Sequence, residues 1–479
     1  MKAKIFQAAH VSPAPRQLAW QCLEFMAFFH FTINTFTNLE WGTGEEDPGI
    51  FNPTALDTRQ WLRVAHEAGI RLAILTAKHH DGFCLWPSHY TTHSVKYSSY
   101  REGQGDVVRE FVEACHTFDI KVGLYLSPWD RHDARYGTDA YNTYFKHQLT
   151  ELLTQYGPIA EVWFDGACGE GPNGKRQIYD WEGYYHVIRH LQPNAVIAIS
   201  GPDVRWVGNE QGIARENEWS VVPAMALDQD TIAATSQQQT LIRPEIDARH
   251  QDLGSRDKIL KAESLAWYPA ECDVSIRPGW FYHQREDAQV KSPEELVAIY
   301  FKSVGRNAAL LLNLPPDSRG LVHENDARSL HTMRHILDET FSHNLATEAK
   351  VTASHAKQGF GAENTLGSSS HPPHPPAPTP YWTTEDWQET AMLEYDLGRT
   401  QTFNVVMLQE HIAVGQRIER FVIEAQTPDG WQTVTGGGTV GYKRLLRCAD
   451  TRTDKVRVRI EKARFAPTLR HFGLFMAPG

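Results

Sequence analysis

The chain has 479 residues, with 47 Lys plus Arg against 58 Asp plus Glu, and its net charge of −11 leaves no basic surplus to neutralise nucleic-acid phosphates. A hydrophobic content of 41% is enough to build large cores and excludes intrinsic disorder, while no apolar run reaches the roughly 18 residues that cross a bilayer. The opening MKAKIFQAAHVSPAPRQ has no h-region, and Cys22, Cys84, Cys115, Cys168, Cys272 and Cys448 form no CxxC pair. These features set the expectation of a cytoplasmic protein with reduced, buried thiols and no membrane association.

The first two thirds of the chain alternate short β-type runs with helical patterns, which predicts parallel strands joined by crossover helices. The first strand is expected over Phe25 to Phe31. A helix follows, opening at the N-cap Asp57, carrying Trp61, Val64, Ala65 and Ala68 on one face and stopping at Gly69. Strands at Leu72 to Ala77 and Lys121 to Ser127 bracket a second helical stripe of Val108, Phe111, Val112 and Cys115. A helix from Asp139 to Gly157 leads into a strand at Glu161 to Asp165, and further strands are expected at Ala195 to Ser200, Ala266 to Glu271 and Ala308 to Leu314. A last helix spans Glu324 to Phe341. Seven visible strands in this stretch fit an α/β chain with a (β/α)8-like barrel containing one irregular unit; a doubly wound sheet is the alternative. The barrel is favoured because His30, His79, Tyr125, Asp165 and Glu271 fall at the predicted C-terminal ends of strands, the face on which barrel enzymes build their sites. From about Ala346 the pattern changes to short alternating strands with no helix, interrupted by the loop SSSHPPHPPAPTP. The expected division is therefore a catalytic domain over 1–345 and a β-sandwich over 346–479.

Several segments could carry chemistry. EVWFDG leaves the Asp165 carboxylate at the end of an apolar strand, where it would be desolvated unless it had partners or a task. A helix N-cap or a loop ion pair is the plainer alternative. His79 and His80, beside Asp81, could be metal ligands, proton shuttles or partners of sugar hydroxyls, though zinc hydrolysis would need further ligands that the sequence does not advertise. His30, Glu40 and Trp41 follow the first strand, and Trp206, Trp219 and Trp280 add aromatic planes. Flat rings that cover C–H faces, mixed with acids and imidazoles that bind hydroxyls, suit carbohydrate. GPDVRWVGNE offers Glu210 as a second carboxylate, and paired carboxylates are the machinery of glycoside hydrolysis. Glu40, Asp203, Glu216, Glu218, Glu271 and Asp273 compete with it for that part.

Taken in order, FFHF, EWG, LTAKHHDGF, YLSPWDRH, VWFDG, GPDVRWVGNE, ECDVSIRPGW and GRNAALLLNLPPDSRG resemble glycoside hydrolase family 29, the retaining α-L-fucosidases, over about residues 20–345. HFTINTF and GPDVRWVGNE resemble the branch that prefers α-1,3/1,4-linked fucose in Lewis-type structures. Where the broader branch usually has His-Trp-Gly, this chain has His30-Phe31-Thr32. The region after Ala346 resembles the discoidin-type, galactose-binding-like sandwich. The resemblance implies Asp165 as nucleophile and Glu210 as acid/base, with His30, Glu40, Trp41, His79, His80 and Tyr125 lining the fucose site and Trp280 packing on the C6 methyl. Arg205 and Trp206 would be their neighbours. It implies no metal or organic cofactor, and a fucosylated oligosaccharide or glycoconjugate as the partner. A metal-dependent hydrolase built on His79 and His80, a fucose-binding lectin and an adhesion protein driven by the sandwich are the competing readings.

Overall fold

The computed structural model describes residues 2–224, 251–367 and 380–478. Eight parallel strands stand side by side in chain order: β1 (Phe25–Phe29), β2 (Leu72–Lys78), β3 (Lys121–Leu126), β4 (Glu161–Phe164), β5 (Val196–Ile199), β6 (Arg205–Trp206), β9 (Ala270–Ser275) and β10 (Ala309–Asn313). The circle closes where β10 pairs with β1, and a single parallel bridge from Ala198 to Val204 joins β5 to β6. Between β5 and β6 there is no helix, so this is the irregular unit of the barrel. Among the described residues, the remaining two strands of this region, β7 (Val221–Pro223) and β8 (Leu265–Trp267), form a separate antiparallel pair.

Alternation along each strand divides the apolar residues between two cores. Met26, Phe28, Leu72, Ile74, Tyr125, Trp163, Ala309 and Leu311 fill the interior, while Phe25, Phe29, Leu75, Leu124, Phe164 and Leu312 pack outward against the helices. The helices begin and end where the sequence places their signals. Asp57 caps Thr58–Glu67 by accepting from the Gln60 N–H, and Asp106 caps Val107–Thr117 in the same way. The helix over Asp139–Gln155 is two residues shorter than predicted, and the one over Glu324–Phe341 matches its prediction.

Two strand predictions need correction. The β1 ladder ends at Phe29, so His30 leaves the strand and projects from its end. The run predicted over Ala266 to Glu271 is two strands, β8 and β9, separated by Tyr268 and Pro269. This moves Glu271 from the mouth to the second residue of β9. There it is fully buried inside the barrel, accepting from Trp163 Nε1 at 2.7 Å. Glu161, at the start of β4, is its carboxyl neighbour and accepts from Trp20 Nε1 at 2.7 Å. Burial pushes both pKa values up, that of Glu161 to about 8; the Glu161 charge adds to the rise at Glu271, while hydrogen bonds from Trp20 and Glu271 pull Glu161 back.

The last helix is followed by the antiparallel strands β11 (Lys350–Ala353), β12 (Trp382–Thr383), β13 (Ala391–Gln409), β14 (Ile418–Thr427), β15 (Gly430–Gly437), β16 (Arg444–Ala463), β17 (Thr468–Leu469) and β18 (His471–Phe475). Their main sheet runs β11-β13-β16-β14-β15, with β18 on the second half of β13, and β12-β17 forms a small second sheet. Trp382, Leu393, Tyr395, Phe421, Ile423, Val458, Ile460 and Phe472 are among the residues of the shared core. The proline-rich connector with His371 and His374 lies outside the described residues. Polar contacts join the sandwich to the barrel: Lys443 to Glu24, both buried, at 2.5 Å; Arg444 to Glu216; and Arg464 stacked 3.5 Å above the Trp219 ring. All six cysteines are free thiols; Cys22 and Cys448 are part-exposed and the other four buried. Among the described residues, no helix is long and apolar enough to cross a membrane.

Candidate active site

The C-terminal ends of β1 to β4 bring five of the predicted residues together. Asp165 follows β4 immediately, with its side chain 23% exposed. Its Oδ1 accepts from the Ala167 N–H at 2.7 Å and its Oδ2 from the Tyr125 hydroxyl at 3.0 Å. Burial raises its pKa to about 6, and the charge of Glu210 adds to the rise, while the Ala167 and Tyr125 donors pull it back. Tyr125 is held flat between the ring of Trp163, 5.2 Å away, and that of His79, 5.5 Å away.

Hydrogen bonding fixes the tautomers of two of the three histidines. Asn313 Nδ2 donates to Ser275 Oγ and to the Trp280 carbonyl, so its Oδ1 accepts from His30 Nδ1 at 2.9 Å and leaves Nε2 as a lone-pair acceptor. Ser127 Oγ donates to the Trp129 carbonyl, so it accepts from His80 Nδ1 at 2.7 Å. The unprotonated Nε2 of His80 then lies 3.6 Å from Asp165 Oδ2. Burial lowers the pKa of His30 and of His80 to about 3 and that of His79 well below its usual value, so all three are neutral near pH 7. His79 Nδ1 is buried without a hydrogen-bond partner. Because β2 ends at Lys78, the two adjacent imidazoles do not point to opposite sides; their ring centres are 4.1 Å apart. His79, His80 and Asp165 are the one set of three potential ligands within 4.8 Å among the described residues, so the sequence underestimated how closely a cation-sized group of donors assembles here.

Loops supply the next residues. Glu40 accepts from the backbone N–H groups of Trp280 at 2.9 Å and Phe281 at 3.3 Å, and from His283 Nε2 at 2.6 Å, which ties the first loop to the one after β9. Trp41 is 45% exposed and stands edge-on to Trp129. The glycine that follows is required: Gly42 has φ +65°, and a Cβ there would come within 2.5 Å of Asn34 Oδ1 and 2.8 Å of Asp81 Cβ. Trp280 is half-buried, with its ring centre 5.2 Å from that of His30 and its Nε1 3.4 Å from Glu210 Oε2.

Glu210 is exposed in a loop fastened to β9 by the Gly212 N–H, which donates to the Asp273 carbonyl at 3.2 Å. The competing acids separate cleanly. Asp203 is buried between Arg16 and Arg189. Glu216 pairs with Arg444 and Arg306 at the sandwich, Glu218 is buried against Arg205 and Arg215, and Glu271 lies deep in the barrel. This also removes Arg205 from the site, since its guanidinium is buried against Glu218 and the Trp219 carbonyl. Only Asp273 remains beside Glu210, accepting from Trp206 Nε1 at 2.8 Å. Burial first, then the charge of Glu210, push the Asp273 pKa well up.

A barrel with a carboxylate at the end of β4, a second carboxylate across the mouth, and neutral imidazoles and aromatic planes around them has the equipment of a glycoside hydrolase. The α-L-fucosidase family model matches residues 30–340. The chain is 43% identical to α-L-fucosidase 1 of Arabidopsis thaliana over 473 residues, covering 97% of this chain and 87% of that one. Among solved structures, a Bacteroides ovatus protein classed with the α-L-fucosidases is 46% identical with TM-score 0.86, covering 100% of this chain and 76% of that one. A Ruminococcus gnavus GH29 fucosidase solved in complex with fucose is 30% identical with TM-score 0.84, covering 98% and 95%. The chain belongs to the α-L-fucosidase family, glycoside hydrolase family 29.

The sequence reading missed the residues that orient the site: Asn313, Ser127, His283 and Asn38, whose Oδ1 lies 2.5 Å from His283 Nδ1. Asn313 could have been found, because it is the polar residue that ends the apolar run ALLLN, the same signal that singled out Asp165. His283 and Asn38 carry no such signal, since they meet Glu40 only through tertiary packing.

Proposed function

We propose that the protein is a retaining exo-α-L-fucosidase that removes α-1,3/1,4-linked fucose from Lewis-type glycans. The observation that supports this best is the part-exposed Asp165 carboxylate at the end of β4, within electrostatic reach of Glu210 and surrounded by neutral hydrogen-bonding rings. In this scheme Asp165 attacks the anomeric carbon while Glu210 protonates the departing oxygen, and Glu210 then takes a proton from the water that cleaves the fucosyl-enzyme. Tyr125 holds Asp165 in line. His30 and His80, each with Nδ1 occupied, accept from fucose hydroxyls through Nε2, and His79 lies between them. Glu40 fixes the Trp280 loop so that the indole covers the C6 methyl, and Trp41 closes the rim. Proton transfer and nucleophilic attack both come from carboxyl groups, so no metal or organic cofactor enters the scheme. We take the sandwich as a discoidin-like support for the barrel.

Turnover of Lewis trisaccharides, 2′-fucosyllactose and an aryl α-L-fucoside, compared side by side, tests the reading. Preference for the Lewis trisaccharides is expected. Equal efficiency on 2′-fucosyllactose removes the linkage assignment, and no turnover of any α-L-fucoside removes the activity.

A further inference from the structure

The mouth of the barrel is divided. Every side chain given to fucose on a strand end comes from β1 to β4: His30, His79, His80, Tyr125 and Asp165. The opposite half, β6 and β9, carries Glu210 together with an indole–carboxyl pair to which the fucose scheme gives no work. Trp206 is half-buried at the end of the two-residue strand β6, packed on the aromatic interior, and its Nε1 donates to Asp273 Oδ1 at 2.8 Å. Asp273 lies on β9 at the register of Leu311, a barrel-interior position, and is 95% buried. Its own carbonyl receives the Gly212 N–H that fastens the Glu210 loop. A carboxyl group so deeply buried is costly to keep unless it is hydrogen-bonded or used.

The general acid of a glycosidase must lie against the oxygen of the leaving group, so the surface adjoining Glu210 and away from Asp165 is where the leaving sugar rests. We propose that Trp206 and Asp273 form the subsite for that leaving-group saccharide, a hexosamine or hexose unit. The indole covers a C–H face, and Asp273 both orients the indole and offers a carboxyl oxygen to a ring hydroxyl. An aromatic plane with one carboxyl beside it is a sufficient recognition unit for a pyranose, because the sugar has an apolar face and a hydroxylated edge. This inference rests on the fucosidase reading and deepens it: Trp206 and Asp273 then decide which glycans release fucose efficiently.

The test compares Trp206→Phe and Asp273→Asn with the unaltered enzyme on a Lewis x trisaccharide and on an aryl α-L-fucoside, whose leaving group is no sugar. The ratio of kcat/KM for the trisaccharide to that for the aryl fucoside should fall at least tenfold in Trp206→Phe, chiefly through KM. It should fall less in Asp273→Asn, whose amide oxygen still accepts from the indole. N-acetyllactosamine, the disaccharide left by Lewis x, should inhibit the unaltered enzyme and should bind together with fucose in a double-inhibition experiment. An unchanged ratio, or an equal loss on both substrates, overturns the subsite and leaves the pair a structural one. If either variant fails to fold, the double-inhibition result on the unaltered enzyme decides: mutually exclusive binding, or no inhibition by the disaccharide, overturns it. Absence of turnover on the aryl fucoside by the unaltered enzyme is a failure of the fucosidase reading instead.

Discussion

Tyr125→Phe isolates one hydrogen bond at the proposed nucleophile. The substitution keeps the ring, and with it the stacking on Trp163 and His79, and removes only the hydroxyl that donates to Asp165 Oδ2 at 3.0 Å. That bond favours the ionised carboxylate, so its loss makes the proton harder to remove. A hydrogen bond to a charged group contributes about 1.5–3 kcal/mol, and at about 1.4 kcal/mol per pKa unit this is a rise of roughly one to two units. Asp165, at about 6 in the intact protein, should move to about 7–8. The acid limb of kcat/KM reports the free enzyme's essential base, so the profile on an aryl α-L-fucoside should lose its activity near pH 6 and recover it above pH 8. Stability should respond with the matching sign. The folded protein binds this proton more tightly than the unfolded chain, whose Asp titrates near 3.8, so stability falls as pH rises from 3.8 through the folded value. The variant extends that fall to higher pH, and its melting temperature should drop more at pH 8 than at pH 4. An acid limb that stays in place, or that moves down, would refute the argument that Tyr125 supports the ionised form.

Retention should be visible directly: α-fucose should be the first anomer released in early-time proton NMR, and β-fucose would overturn the two-step scheme. Asp165→Ala should lose several orders of magnitude on every substrate, whereas Glu210→Ala should largely spare the first step on a nitrophenyl fucoside, whose leaving group needs no proton. Azide should then draw α-fucosyl azide, the retained product, from the Glu210 variant and β-fucosyl azide, the inverted one, from the Asp165 variant; the same anomer from both would show that the two carboxyl groups do not face each other across the sugar. Lys443→Ala removes the ammonium paired with the buried Glu24 carboxylate at the junction of barrel and sandwich, where the Tyr300 hydroxyl remains as a donor to it. It should cost about 3–5 kcal/mol by urea unfolding, and a loss under 1 kcal/mol would mean that the junction relaxes.

What was legible in the sequence is what local chemistry fixes. Asp57 and the apolar stripes from Trp61 to Ala68 and from Val108 to Cys115 announce helices because a cap and a periodic face act within a few residues. Asp165 was visible because a carboxylate ending EVWF has no local partner to explain it. Glu271 shows where that reasoning fails. It also ends an apolar run, yet two residues of non-ladder chain between β8 and β9 shift the strand, sending Glu271 deep into the barrel and Asp273, two residues on, one layer nearer the mouth. The choice among the acids followed the same rule: Asp203 and Glu216 are taken up by arginines 187 and 228 residues away in the chain, and no local pattern records such pairings. The tautomers of His30 and His80 were likewise set by Asn313 and Ser127 on neighbouring strands. The sequence by itself determined most of the elements and singled out the Asp165 carboxylate, because those depend on short-range periodicity and desolvation. Only the tertiary structure decided which charges are neutralised and which rings are acceptors, because each of those depends on partners brought together by the closure of the barrel.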